Sequence, residues 1–163
     1  MDIFDEEIIK LWKSLQDNNV QYILTGDFAS TLHGYTGFTD NMDVWIKDSK
    51  ANRKNLRKAF KEAEMGDYFM MDTIQFVPGW TEFKLNNGLR LDIITTMKGL
   101  EAFTFDDCLK MSTIAEIEEV KVPFLHINQL IANKKAVNRP KDQVDVIELE
   151  KIKELRKEMG LDQ

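Results

Sequence analysis

The chain is poor in the residues that cross-link a fold or hold metal through sulfur or imidazole. Cys108 is its only cysteine, so an internal disulfide and a cysteine-based zinc site are both excluded. A reducing, cytoplasmic setting is the simplest expectation. The two histidines, His33 and His126, lack metal-ligand spacing and an evident acidic partner, which leaves ordinary core or surface roles. No apolar run approaches the roughly 18 residues of a membrane span, so no membrane partner is expected. The start, Met1-Asp2-Ile3-Phe4-Asp5-Glu6-Glu7, has neither the basic nor the apolar part of a signal peptide. A basic excess is missing too: 22 Lys and Arg against 28 Asp and Glu give a net charge of −6. That balance argues against a surface that grips nucleic acid as a whole, while leaving room for a local basic patch. There is no internal repeat, low-complexity tract or evident linker.

What is present suits a globular domain. Hydrophobic residues make up 43% and charged residues 31% of 163 positions, enough for one core and too short for two. Residues 1–163 are therefore read as a single domain. Phe4, Ile8, Leu11, Trp12 and Leu15 line one face of a first helix, which Asn18-Asn19 ends. Ser49 caps a second long helix, Lys50 to Met65, with Leu56, Ala59, Phe60 and Ala63 facing inward. Its other face carries Lys50, Arg53, Lys54, Arg57, Lys58 and Lys61. That row reads first as a solvated surface and second as a contact for a phosphate-rich partner. A β-rich run from Thr73 to Val77 leads to the turn Pro78-Gly79, to Trp80 and to a segment from Glu82 to Leu85. Asn87-Gly88 favours a tight hairpin turn into a strand from Leu89 to Ile94, on which Asp92 points away from the core face. A short helix near Phe105 to Met111 precedes a hairpin of Thr113 to Ile117 and Val120 to Leu125, where Pro123 suits an edge. A helix from Ile127 to Lys134 follows, interrupted near Asn138-Arg139-Pro140. The last helix is expected to bury Leu149, Ile152, Leu155 and Met159.

The most informative stretch runs from Tyr22 to Ile46. The apolar run Tyr22 to Leu24 stops at Thr25-Gly26, where a residue without Cβ lets the backbone turn sharply or approach a ligand. A helix opens at Asp27. After a loop, Met42, Val44 and Ile46 alternate with Asn41, Asp43 and Trp45, which places Asn41 and Asp43 on one face of a strand.

This arrangement resembles the signature of the nucleotidyltransferase superfamily, in which Gly-Gly or Gly-Ser opens a helix and a later strand carries two acids one residue apart. Gly26 fits the first glycine, Asp43 the second acid, and Asp92 the third carboxylate that a neighbouring strand supplies. Leu130, Ile131, Lys134, Arg139, Pro140, Lys141, Asp142 and Asp145 are similar to a Leu-Ile-x-x-Lys, Arg-Pro-Lys-Asp and further Asp series that follows the catalytic sheet in small members. The resemblance implies an α/β (α+β) fold: a mixed sheet with helices packed mainly on one side and helices at the C-terminus. It also implies a cleft where Gly26, Asn41, Asp43 and Asp92 converge.

The chemistry implied is attack on the α-phosphate of a nucleoside triphosphate by a hydroxyl, with Mg²⁺ neutralising phosphoryl charge. On that reading Asp43 and Asp92 are metal ligands, and Asn41 shares the catalytic strand. Thr25, Gly26, Asp27 and Lys134 surround the triphosphate, Lys134 as its cation. Relatives of this size include antibiotic-modifying enzymes and toxin–antitoxin components, and the acceptor is an unidentified hydroxyl of a protein, RNA or small molecule. Two positions depart from the pattern. Asn41 stands where the first acid is usual, replacing a carboxylate with a neutral amide. Asp27 stands where Gly or Ser is usual: it either places an anion in the phosphate site or caps the helix from Phe28 to His33, the reading preferred here. Asp40 replaces the missing acid only if the loop slips by one residue. Trp45 and Trp80 are either packing residues or flank a base. Three functions follow: a weakened metal-dependent transferase, an inactive nucleotide- or partner-binding relative, or a domain without a ligand. If Lys134 serves phosphate alone, Lys134→Ala weakens nucleotide binding with little loss of stability.

Overall fold

The computed structural model describes residues 5–37, 39, 41–73 and 82–161. Six strands form one mixed sheet, and six α-helices and a 3₁₀ turn lie among the described residues. Helix α1 (Glu6–Asp17) starts where the Asp5 carboxylate accepts the Glu7 N–H, and buries Ile8, Leu11, Trp12 and Leu15. Asn19, at φ 53°, ends that region and turns the chain into β1 (Tyr22–Thr25). All four β1 residues are buried, because the strand is central and covered on both faces. Helix α2 (Gly26–Leu32) follows without a connecting residue, opening at Gly26 rather than Asp27. Strand β2 (Asn41–Ile46) runs antiparallel to β1, with Thr25 opposite Asp43.

The Ser49 hydroxyl accepts the Asn52 N–H and begins α3 (Lys50–Glu62), whose Leu56, Ala59 and Phe60 are fully buried. The helix is shorter than its periodicity implied, since Glu64 adopts φ 60°. Its basic face is partly spent on the protein itself: Arg53 pairs with Asp48, and Arg57 with Asp67 and Asp72. After a 3₁₀ turn (Phe69–Asp72), β3 (Glu82–Lys84) and β4 (Arg90–Ile94) make the expected hairpin, with Gly88 at φ 87°. The expectations for Phe4, for most of the Thr73 to Val77 run, and for Asp40, Pro78-Gly79 and Trp80 lie outside the described residues.

Helix α4 (Phe105–Met111) and strands β5 (Thr113–Ile117) and β6 (Val120–Phe124) fall where the sequence places them. The sheet order is β3-β4-β2-β1-β6-β5, with β2 and β4 parallel and β1 and β6 parallel. Pro123 is therefore on an interior strand, contrary to expectation. The strand tolerates it because β1 meets β6 only at Leu24 and Phe124.

Phe60 packs edge-on against Phe83, whose β4 partner Leu91 lies opposite Met42, so α3 and the α1 beside it cover the apolar face. Phe105 covers Trp45 on the opposite face, with ring centroids 5.3 Å apart. Trp45 is thus a packing residue and flanks no open space.

Helix α5 (Ile127–Val137) ends at Asn138 in the left-handed region, and α6 (Pro140–Glu158) takes Pro140 in its first turn, where a missing N–H is harmless. The expected α6 stripe is only half right. Leu149 is buried and Ile152 partly so, but Leu155 and Met159 are 55% and 64% exposed. The helix outruns the body it packs on, and an apolar period cannot report where the facing surface stops. No helix among the described residues is long and apolar enough to cross a membrane.

Candidate active site

The site sits at the junction of β1 and α2. Gly26 has φ 64°, a conformation natural to a residue without Cβ. It also faces the side chain of Asp43, and a Cβ there would overlap a carboxylate oxygen of that residue. The acid therefore leaves room at position 26 for glycine alone. Parallel pairing of β2 and β4 sets Asp43 directly beside Asp92 and Asn41 beside Arg90, so strand alternation brings all four to one face. Together with Thr25, Asp27, Lys134 and Lys141 they line a cleft of about 630 Å³.

Asn41 is the hinge of the acidic wall. Its Nδ2 donates to Asp43 Oδ1 at 3.0 Å and to Asp92 Oδ2 at 3.2 Å, so one neutral amide bridges two carboxylates. Arg90 Nε adds a contact to Asp92 at 3.2 Å. Burial, then the charge and hydrogen bonding of Asp92, then the charge of Asp27 push the Asp43 carboxyl up to about 7, against the lowering pull of the Asn41 amide. The folded protein thus holds a proton near Asp43 at pH values where the unfolded chain, near the ordinary 3.8, has released it. Stability from this group is full below about 4 and is lost as pH rises through about 7. Asp43→Asn is expected to flatten that slope and to be more stable than the natural chain at pH 8, by an order of 2 kcal/mol. Urea unfolding at pH 5 and pH 8 measures it; a variant less stable at pH 8 contradicts this account.

The opposite wall is a network of alternating charge. Lys134 Nζ donates to Asp145 Oδ2 at 2.9 Å and to Asp27 Oδ1 at 3.1 Å. Lys141 Nζ donates to both oxygens of Asp27 at 2.6 Å and to Asp145 at 3.1 Å. Lys134 and Asp145 are almost wholly buried, with side chains 4% and 3% exposed, whereas Lys141 is half exposed. Burial acts to raise Asp145, yet the two ammoniums hold it below the ordinary carboxylate range. Arg139 pairs with Asp142 in the same turn.

These contacts correct two expectations. Asp27 does not cap α2: the cap position belongs to Thr25, whose side chain makes no cap bond, and the Asp27 carboxylate is drawn to the two lysines. Lys134 does reach the cleft, but as a buried ion-pair partner, so its removal cannot leave stability untouched. Lys141 and Arg90 were missed as site residues. Lys141 stood within the Arg-Pro-Lys-Asp series, and Arg90 shares its strand face with Asp92, so both signals were present.

As a cation site the acidic wall offers two carboxylates and one amide. Mg²⁺ commonly takes one or two carboxylates and completes its shell with water and phosphate oxygens, and Asp43 and Asp92 are of that number and kind, while the Asn41 amide presents its N–H₂ to them. Among the described residues no group of three His, Cys, Asp or Glu side chains is arranged to hold a metal.

No protein-family model matches the chain, and no curated protein matches its sequence. Solved structures match its shape. One is TM1012 of Thermotoga maritima, provisionally assigned as a nucleotidyltransferase: 18% identical, TM-score 0.54, over 94% of this chain and 90% of that one. Another is the lincosamide antibiotic adenylyltransferase LnuA, solved with lincomycin: 14% identical, TM-score 0.55, over 91% of this chain and 97% of that one. The chain has a nucleotidyltransferase-like fold.

Proposed function

We propose that this chain, with its nucleotidyltransferase-like fold, binds a nucleoside triphosphate with one Mg²⁺ in the cleft and transfers the nucleotide to a hydroxyl slowly at best. The observation that carries the reading is the Asn41 amide bridging Asp43 and Asp92 opposite a wall of lysines. Asp43 and Asp92 are the residues that would hold Mg²⁺, which supplies neutralisation of phosphoryl charge when bound. Gly26 lets the backbone lie against Asp43, so a triphosphate at this turn would stand beside a cation held by that carboxylate. Lys141, half exposed, is the cation that can leave Asp27 for a phosphate, while Lys134 stays buried against Asp145. The acceptor is a hydroxyl of a small molecule, an RNA or a protein; the antibiotic adenylyltransferase of the same shape favours the first.

The same amide supports a second reading, in which the acidic wall is already satisfied without metal and the chain binds a nucleotide or partner without chemistry, as a toxin–antitoxin component would. Titration with ATP, GTP, CTP and UTP, with and without Mg²⁺, tests both. Saturable binding that tightens with Mg²⁺ is expected. Binding indifferent to Mg²⁺ selects the second reading, and no saturable binding defeats both.

A further inference from the structure

At the far end of α2 from the cleft, both histidines of the chain border a second cavity of about 80 Å³, together with Thr113, Asn128, Lys153 and Arg156. Among the described residues no acidic side chain lines it. By the ~30 Å³ a water occupies in the liquid, it holds two or three waters, the scale of one tetrahedral oxyanion.

The polar groups around it are oriented. Arg156 Nη2 donates to the His33 carbonyl at 2.9 Å and lies 3.3 Å from His33 Nδ1. His33 Nε2 must then carry the proton that meets the Leu125 carbonyl at 2.8 Å, so this buried ring is neutral with both nitrogens occupied. His126 Nδ1 accepts the Asn128 N–H at 3.1 Å, which leaves the proton of that ring on Nε2. Among the described residues the Arg156 side chain is engaged through Nη2 alone, and neither it nor Lys153 meets a carboxylate. Elsewhere buried Lys134 and the more exposed Lys141, Arg57 and Arg139 each hold an acid. Among the described residues a guanidinium and an ammonium thus stand beside one small cavity with no carboxylate between them.

The geometry points to a binding site for a phosphate group, inorganic or at the end of a small phosphomonoester, held by Arg156, Lys153 and the His126 Nε2–H where α5 begins. A guanidinium fork suits a tetrahedral oxyanion, and the first N–H groups of an 11-residue helix add partial positive charge. The site is separate from the nucleotide cleft and does not depend on the function proposed for it.

Because the only two histidines stand here, their imidazole signals in ¹H–¹⁵N spectra report on this cavity alone. Titration with inorganic phosphate and with ribose 5-phosphate, at constant ionic strength set by sodium chloride, is expected to shift the His126 signals saturably. Response to both places the site on organic monoesters; response to the inorganic ion alone restricts it to free phosphate. Lys153→Gln removes an exposed cation that forms no ion pair among the described residues, so the fold is kept, and it should weaken binding at least fivefold. Arg156→Gln should weaken it more, with the His33 signals moving as well. A shift reproduced by chloride, or unaltered in Lys153→Gln, overturns the proposal.

Discussion

Lys134→Ala is expected to lose about 3 kcal/mol of stability, the low end of what breaking a buried ion pair costs. The ammonium lies between Asp145, 3% exposed, and Asp27, 26% exposed. Without it Asp145 is left in a site largely shut off from water, and Lys141 at 3.1 Å is the cation that remains against it among the described residues. That remaining contact is why the loss falls at the low end. Lys134→Ala with Asp145→Ala removes both charges, and should recover most of the loss despite the cavity left behind. Urea unfolding of the four proteins at pH 7.5 gives the coupling between the two positions. A single-variant loss under about 1 kcal/mol, or a double variant no better than the single, would mean that Lys134 is not held as a buried pair. If the loss is as expected, triphosphate affinity must be compared with Lys134→Gln as well, since a drop in binding by an unfolding chain says nothing about phosphate contact.

That prediction differs from the sequence reading for a physical reason. Lys134 reads as a cation for the triphosphate whose removal costs little stability, because an unpaired charge is rarely buried. What buries Lys134 is Asp27, 107 residues earlier, and Asp145, 11 residues later. Neither partner is legible in a local window. Asp27 misled in the same way: at a helix start it reads as a cap, but its ion-pair partners lie 107 and 114 residues away. Asn41, Asp43 and Asp92 were legible because strand alternation fixes their face, and the parallel pairing of β2 and β4 then only had to set the register. The exposed end of α6 was not. Leu155 and Met159 keep the helical period of Leu149, but period specifies a face and not whether anything packs on it.

Combining Asn41→Asp with Asp27→Ser is expected to turn a slow or silent cleft into one that binds Mg²⁺ and triphosphate together. In the natural chain the Asn41 amide satisfies Asp43 and Asp92 at 3.0 and 3.2 Å, and so does part of what a cation would do. A carboxylate there removes that donor and adds a third negative charge, so Asn41→Asp alone should be less stable without metal and regain stability as Mg²⁺ is added, since a ligand bound only by the folded state stabilises it. Asp27→Ser acts on the other wall. Asp27 and Asp145 balance Lys134 and Lys141, so the natural network is neutral and the variant's carries one positive charge. Removing an anion about 5 Å from a bound phosphate relieves roughly 3 kcal/mol at an effective dielectric of 20, on the order of a hundredfold in affinity. Lys141 is then free of its two 2.6 Å contacts and can turn to the ligand. The serine brings no cap, because Thr25 holds that position, so its benefit is electrostatic alone. The two changes should exceed the sum of the singles: the metal needs phosphate oxygens to complete its shell, and phosphate entry needs the metal charge beside three carboxylates. Melting temperature against Mg²⁺, triphosphate affinity and nucleotide transfer, measured in the natural, single and double forms, test each step. A natural protein that already turns over at ordinary enzyme rates, on the order of 1 to 1,000 per second, would show that Asn41 is no defect. A folded double variant that binds neither Mg²⁺ nor triphosphate would remove the cleft from nucleotide chemistry.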